Sequence, residues 1–465
     1  MWQFRLAAVA AVSSWAPCSA GALFDSWNTA VGGNAGRTGF VQALGPAAPA
    51  VLWQGSPEAV AAEHAVVHDG VVVTARMASM ADVLQGSTIV AHDLVTGEIR
   101  WQRGLPVDSL MSDWRTRVMG TSNGLVFATR AGDTNRSYIY ALRVTDGSIA
   151  WRSADTFDES STESPAITDK GDLVVGNFAS LVRVSGVDGA TAWSAARTSP
   201  CTDGSAAAIF NDRVYVWEAS LAGPCVTAFD LETGQRLYSS AGIGGGYFQQ
   251  VGLMVGPDGT VYAPRSQNIE GSDALVALED TGVSLVERWR TPLGYVPFAS
   301  MGIGPDGSVY TYAPSRQVVR LDPGDGTIVS RSIAIESDFF QPRMAIAMDG
   351  TVYLTNGGEA EGRLYSFNTD LTERWRVPTP GVHMSGPTLA SNGVLVVCGT
   401  GTNLWAFKTD TVVCAPDWNG DGILDARDLF DFVTAYLAGE GDYNRDGVTN
   451  SYDFFEFLSL FVRGC

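Results

Sequence analysis

Asp258-Gly-Thr-Val-Tyr262, Asp306-Gly-Ser-Val-Tyr310 and Asp349-Gly-Thr-Val-Tyr353 decide the fold, because one short phrase returns at near-regular intervals. Each is a turn pair followed by alternating apolar residues, the pattern of a hairpin feeding a short strand. Looser copies stand upstream at Asp69-Gly70, Asn123-Gly124, Lys170-Gly171 and Asn211-Asp212, and one stands downstream at Asn392-Gly393. From position 69 to position 392 the copies recur with a mean period of about 46 residues, near that of a four-stranded propeller blade. Asn-Gly and Asp-Gly suit a two-residue hairpin turn, which needs positive φ at its centre.

Between these copies runs a second phrase, clearest in Asp93-Leu-Val-Thr-Gly97 with Trp101, Val144-Thr-Asp-Gly147 with Trp151, Val187-Asp-Gly189 with Trp193, and Asp230-Leu-Glu-Thr-Gly234 with Tyr238. An Asx-turn leading into a hairpin places the aromatic on the next strand, where an indole can wedge between sheets. The last unit, after Asn392, has no Trp strand of its own, while Val51-Leu-Trp53 stands before the first unit as a Trp strand without a hairpin. The sequence therefore predicts eight blades, with residues 51–53 completing the last one and removing the exposed edges of an open array.

Composition agrees with an all-β body. The chain has 465 residues with 52 Gly, above the usual share of about 7%, and 13 Trp. Its formal charge of −20 repels phosphate backbones and anionic membrane surfaces, so nucleic acid is a poor partner. The N-terminus, Arg5 followed by the small apolar run Leu6 to Trp15 and then Cys18-Ser-Ala-Gly-Ala22, has the three-part pattern of a secretory signal. No later run reaches the roughly 18 apolar residues of a membrane span. We expect a signal peptide at 1–22, a propeller at 23–408, a linker at 409–416 and a small module at 417–465. Export favours disulfides, and the expected pairs are Cys201 with Cys225 and Cys414 with Cys465, with Cys398 a buried thiol in Val394-Leu-Val-Val-Cys398.

Over roughly Trp27 to Phe407 the chain resembles the pyrroloquinoline-quinone-like β-propeller repeat family, through the Thr-Gly-x-x-x-Trp phrases, the Asp-Gly-x-Val-Tyr strands and Trp27-Asn-x-x-x-Gly-Gly33-Asn-x-Gly-Arg37-Thr-Gly39. That family includes quinone-dependent dehydrogenases and non-enzymatic propellers of outer-membrane assembly. The dehydrogenases resemble one another in a vicinal Cys-Cys pair over the cofactor, and no two cysteines are adjacent here. A quinone is therefore not expected. The segments entering each Asp-Gly hairpin should be the innermost strands. Their polar residues His64, Arg117, Glu163, Gln250, Arg343 and Ser385 are the candidate lining of the central channel, read either as a ligand site at one mouth or as the hydrated wall of any propeller axis.

After Lys408 the chain turns acidic and helical. Asp417-Trp-Asn419-Gly-Asp421-Gly-Ile423-Leu-Asp425-Ala-Arg-Asp428 has the spacing of a calcium loop, with carboxylates and amides at positions one, three, five, nine and twelve and the Ile423 carbonyl at seven. Asp442, Asn444, Asp446, Val448, Asn450 and Asp453 repeat it 25 residues on. Each loop enters an apolar helix, so two calcium ions are expected. Asp rather than Glu at position twelve, and the absence of a long helix before the first loop, resemble the dockerin family across Asp417 to Val462, in its Gly-Cys-terminated variety. That resemblance implies a cohesin-like or other extracellular scaffold partner, contacted through loop positions ten and eleven, here Ala426 and Arg427 and then Ser451 and Tyr452. The expectation is a secreted binding or scaffold propeller attached through an EF-hand-like all-α dockerin module. The alternatives are a quinone-dependent dehydrogenase or other extracellular enzyme, and an outer-membrane assembly propeller.

Overall fold

The computed structural model describes residues 27–463 apart from 62, 77–87, 108–115, 131–135, 158–164, 178, 199–205, 245–251, 266–272, 294–299, 410–415, 417, 420–423 and 444–447. The expected signal peptide and Cys201, Cys414 and Cys465 lie outside the described residues.

Eight four-stranded antiparallel sheets follow one another along the chain. Blades 1 to 7 span Val66–Gly104, Arg117–Phe157, Ala166–Ala196, Ala208–Ser239, Met254–Pro292, Gly302–Ala334 and Arg343–Pro378, and each runs in simple sequence order. Blade 8 takes three strands from Thr388–Phe407 and its fourth from Val51–Gln54, with Val51 opposite Phe407 and Gln54 opposite Trp405. The ring thus closes through the N-terminal strand, as the unpaired Trp strand of the sequence requires. Eight apolar clusters fill the body, each straddling two adjacent blades. Neighbouring sheets therefore bury one another's faces, which single sheets cannot do for themselves.

The turns between first and second strands fall into two main kinds, with blade 4 apart, where Asn211 alone of Asn211-Asp212 is left-handed. In blades 1 and 2, Asp69-Gly70 and Asn123-Gly124 have positive φ at both residues, the expected two-residue form. In blades 3 and 5 to 8 only the glycine is left-handed, and the turn is one residue longer: Gly259 N–H donates to Gly256 O (3.0 Å) while Gly256 N–H donates to Thr260 O (2.9 Å). The two-residue reading is corrected there: in blade 5 the Asp258 carboxylate takes the Thr260 N–H (3.0 Å), Asp306, Asp349 and Asn392 do the same in blades 6 to 8, and in blade 3 the Thr168 hydroxyl takes the Asp172 N–H (3.0 Å).

Five indoles latch one blade to the next. Trp53, Trp101, Trp151, Trp193 and Trp289 donate Nε1–H to the carbonyls of Leu94, Val144, Gly186, Leu231 and Pro323, at 2.7 to 3.1 Å. Each acceptor lies three residues before a left-handed glycine, Gly97, Gly147, Gly189, Gly234 or Gly326. A Cβ on any of these glycines would run into the indole stacked over it. The glycine thus supplies both the turn and the seat for the ring.

The C-terminal module contains two helices, α1 (Ala426–Ala438) and α2 (Ser451–Arg463). Asp425 caps α1 and forms a reciprocal capping box with Asp428, and Gly439 closes the helix at φ 81°. Phe432 and Phe457 stack with ring centroids 3.9 Å apart, and Trp418 packs edge-on against both.

Candidate functional site

The first strand of each blade is a sheet edge facing the axis, and its free N–H and C=O groups need partners. In blades 2 and 4 to 7, residues 27–46 supply them by running around the inside of the ring. Thr121 N–H donates to Asn28 O and Ala30 N–H to Met119 O in blade 2, and Ile209 N–H donates to Ala35 O in blade 4. Val255 N–H then reaches Gly36 O in blade 5, Ile303 N–H reaches Thr38 O in blade 6, and Ile346 exchanges bonds with Gly39 and Val41 in blade 7, all at 2.7 to 3.1 Å. Arg37 is buried and donates Nε–H to Ala207 O (2.7 Å), and the Tyr353 hydroxyl donates to Pro46 O (3.0 Å). This segment occupies the channel toward the end where first and second strands turn. Sequence reasoning did not see it. The signal was in the glycines, since a Cβ on Gly36 would lie 2.9 Å from Val255 O and one on Gly39 would lie 3.2 Å from Met344 O.

The expected lining residues sit toward the other end. Arg117 and Arg343 open the inner strands of blades 2 and 7, while His64 and Ser385 stand just before those of blades 1 and 8. Glu163 and Gln250 lie outside the described residues. All four described residues are buried. His64, Arg343 and Ser385 converge at Gly386, where a Cβ would collide with the His64 ring and press on Arg343. Neither ring nitrogen of His64 has a protein hydrogen-bond partner. Burial, reinforced by the Arg343 charge, holds its pKa well below the usual histidine value, so the ring is neutral. Ser385 Oγ accepts the Cys398 N–H (3.2 Å), and the Thr355 hydroxyl donates to Ser385 O (2.7 Å).

Both described cysteines, Cys225 in blade 4 and Cys398 in blade 8, are buried and free. The expected Cys201–Cys225 link is therefore not formed in this structure. Cys225 is 5% exposed, and burial pushes its thiol pKa up, leaving it a packed, protonated group. Burial, with the Glu63 charge, pushes Cys398 up to about 12. The expected Cys414–Cys465 link lies outside the described residues.

In the module, Asp417, Asp421, Ile423, Asn444 and Asp446 lie outside the described residues, and Asn419, Asp425, Asp428, Asp442, Val448, Asn450 and Asp453 are described. The two loops show one arrangement twice. Asp428 accepts the Asp425 N–H (2.9 Å), and Asp453 accepts the Asn450 N–H (2.8 Å). Both position-twelve carboxylates are fully buried. All-oxygen donors with inward-turned acids suit a hard divalent cation, although the described residues alone do not gather three acidic, His or Cys groups in one cluster. Arg427 holds the Asp425 carboxylate (2.9 Å) and lowers its pKa. The expected contact residues Ala426, Arg427, Ser451 and Tyr452 are all exposed. A further exposed set was missed. Phe430 and Leu437 on α1 are 67% and 79% exposed, and Phe455 and Val462 on α2, each 25 residues further on, are 66% and 78% exposed. Apolar residues seven apart share one helix face, so each helix carries the same bare stripe.

Residues 37–268, from the channel segment into blade 5, match the family described as "Outer membrane protein assembly factor BamB". Among solved structures, BamB from Moraxella catarrhalis superposes with a TM-score of 0.51 at 14% identity, over 75% of this chain and 94% of that one. Quinohemoprotein alcohol dehydrogenase from Comamonas testosteroni gives 0.57 at 12% identity over 83% and 82%. A europium-containing methanol dehydrogenase gives 0.53 at 11% over 90% and 96%. At these identities the likeness is one of fold, and it joins enzymes and a non-enzyme alike. No curated protein matches the chain at a significant level. Among the described residues no helix is long and apolar enough to cross a membrane.

Proposed function

We propose that the chain is a secreted binding propeller, not an enzyme, held at an extracellular scaffold protein by a dockerin-like module that folds around two calcium ions. The observation that carries this reading is the duplicated surface of α1 and α2. Phe430 with Leu437 and Phe455 with Val462 expose matching apolar stripes next to Arg427 and Tyr452, a costly exposure unless a partner covers it. The twin buried acids Asp428 and Asp453 support the calcium step, because bringing carboxylates together without a cation is unfavourable. The bound ion would neutralise the loop acids, and Asp428 and Asp453 would tie it to the helix starts.

The test is capture of the full chain on a cohesin-like scaffold module, with and without chelator. Calcium-dependent capture lost in the Phe430→Glu, Phe455→Glu double variant supports the reading. Capture indifferent to both chelator and variant removes it. The second reading, an envelope-assembly propeller, is favoured by the family match over residues 37–268. It predicts co-purification with outer-membrane proteins even when the chain ends at Phe407.

A further inference from the structure

The interface between blades 4 and 5 departs from the latch pattern, as do that between blades 6 and 7, where the fourth strand Ile328–Ala334 carries no Trp, and that between blades 7 and 8, where the Trp375 indole has no acceptor. Blade 4 carries Tyr238 at the position, opposite Ala228, that Trp101 and Trp151 occupy opposite Ala91 and Ala141. In blade 5 the connection between third and fourth strands, 281–284, is one residue shorter than 94–98, 144–148 and 231–235. Gly282 is still left-handed at φ 83°, but among the described residues no indole covers it, and the nearest heavy atom to a Cβ there is Arg213 Nη2 at 4.0 Å. A cavity of about 340 Å³ opens at this interface, between Phe210, Arg213, Asp258, Thr260, Glu279 and Arg288.

The walls are built and charged on both sides. Asp280 accepts the hydroxyls of Tyr215 and Tyr238, each at 2.6 Å, and the Gly282 N–H at 2.7 Å. Burial opposes its ionisation, but these hydrogen bonds and Arg213, 3.5 Å away, outweigh it and keep the carboxyl below the usual range. Arg213 Nε is buried without a hydrogen-bond acceptor. Arg288 donates to Thr260 Oγ1 (3.2 Å) and lies 4.0 Å from Asp258.

We propose that this cavity is a binding site for a neutral saccharide. Two guanidinium groups face three carboxylates, so an anion meets net negative charge and a cation meets two arginines. A neutral polyol escapes both penalties, because each hydroxyl can donate to a carboxylate and accept from a guanidinium. The Phe210 ring, on the cavity wall, offers a flat surface for the apolar face of a sugar ring. The volume lies at the small end of ligand pockets, room for one or two sugar units. This inference stands apart from the attachment reading, since none of its residues belongs to the C-terminal module.

The experiment is calorimetric or saturation-transfer titration of the full chain with cellobiose, maltose, lactose and glucose 6-phosphate. At least one neutral disaccharide should bind and should weaken tenfold or more in Arg288→Met. Tyr238→Trp, which removes the hydroxyl bonded to Asp280 of the cavity wall and restores an indole at the latch position, should weaken binding while the melting temperature holds or rises. If that variant does not fold, Arg288→Met with Asp258→Asn decides the matter. Absence of binding by every neutral sugar, binding unchanged in these variants, or a phosphorylated sugar binding better than the neutral ones overturns the proposal.

Discussion

In the ring, the side chains lost from water between blades are mostly apolar, Val, Ala and Leu above all, whereas the buried described side chains of α1 and α2 are Phe432, Phe457, Asp428 and Asp453. Half of that second set is acidic. A blade borrows its missing apolar face from the next blade, so the ring needs nothing from outside once it closes. The module is too small to offset two buried carboxylates with apolar area alone. The ring should therefore respond to cuts in its seam and the module to its ions.

The largest effect expected is at the seam. Removing residues 23–56 deletes the fourth strand of blade 8, the Trp53 latch and the channel segment that pairs with inner strands of blades 2 and 4 to 7. We expect little folded protein from this truncation, measured as soluble monomer with near-ultraviolet circular dichroism. A cooperative melt like that of the full chain would show that the ring does not depend on its closure.

Next in size is the ion dependence of the module. With free calcium at 100 times each dissociation constant, two sites would contribute about 5 kcal/mol to its stability. A chelator should remove a low-temperature transition from the full chain and leave untouched a chain ending at Phe407. An unchanged scan of the full chain would break the contrast between the two regions.

The blade count and the seam were legible because a propeller writes itself as repeated turns and strands, and Val51-Leu-Trp53 could only belong to a unit lacking its own outer strand. The cavity was half legible. Tyr238 stands in the sequence where Trp is due, but its meaning depends on the shortened connection 281–284, which alters no motif residue. The channel segment was hidden for another reason. Its bonds to the inner strands run through backbone groups, which any sequence can supply, so only Gly36 and Gly39 hint at the close approach. Of the candidate lining, His64, Arg343 and Ser385 meet around Gly386, and each precedes or opens an inner strand.

A smaller effect should follow from acid. His64 is neutral in the folded ring because burial and Arg343 depress its pKa, while in the unfolded chain it titrates near 6.5. The unfolded state thus binds more protons below that value, so stability is full above about 6.5 and falls as the pH drops below it. His92, also depressed by burial, acts in the same direction. His64→Gln should flatten, without abolishing, the decline in melting temperature on acidification of a chain ending at Phe407. An identical slope would place the acid sensitivity elsewhere.

The finest comparison lies among the indoles themselves. Trp101 donates to Val144 O at 2.7 Å and is 8% exposed, whereas the buried Nε1 of Trp375 has no acceptor. The reason is the seam: blade 8 takes its last strand from the N-terminus, so the connection that would carry the acceptor carbonyl does not exist there. Replacing either Trp by Phe keeps most of the apolar contact and removes the N–H. At Trp101 this strands a carbonyl and forfeits a hydrogen bond, costing about 1 to 3 kcal/mol. At Trp375 it removes a donor that was already unpaired, and the lost area is offset by the relieved desolvation, so stability should change by less than about 0.5 kcal/mol. Denaturant melts of the two variants measure the difference. Equal losses at both positions would mean that the latch works through the size of the ring and not through its hydrogen bond. The vacant place above Gly282 would then be a gap in packing alone.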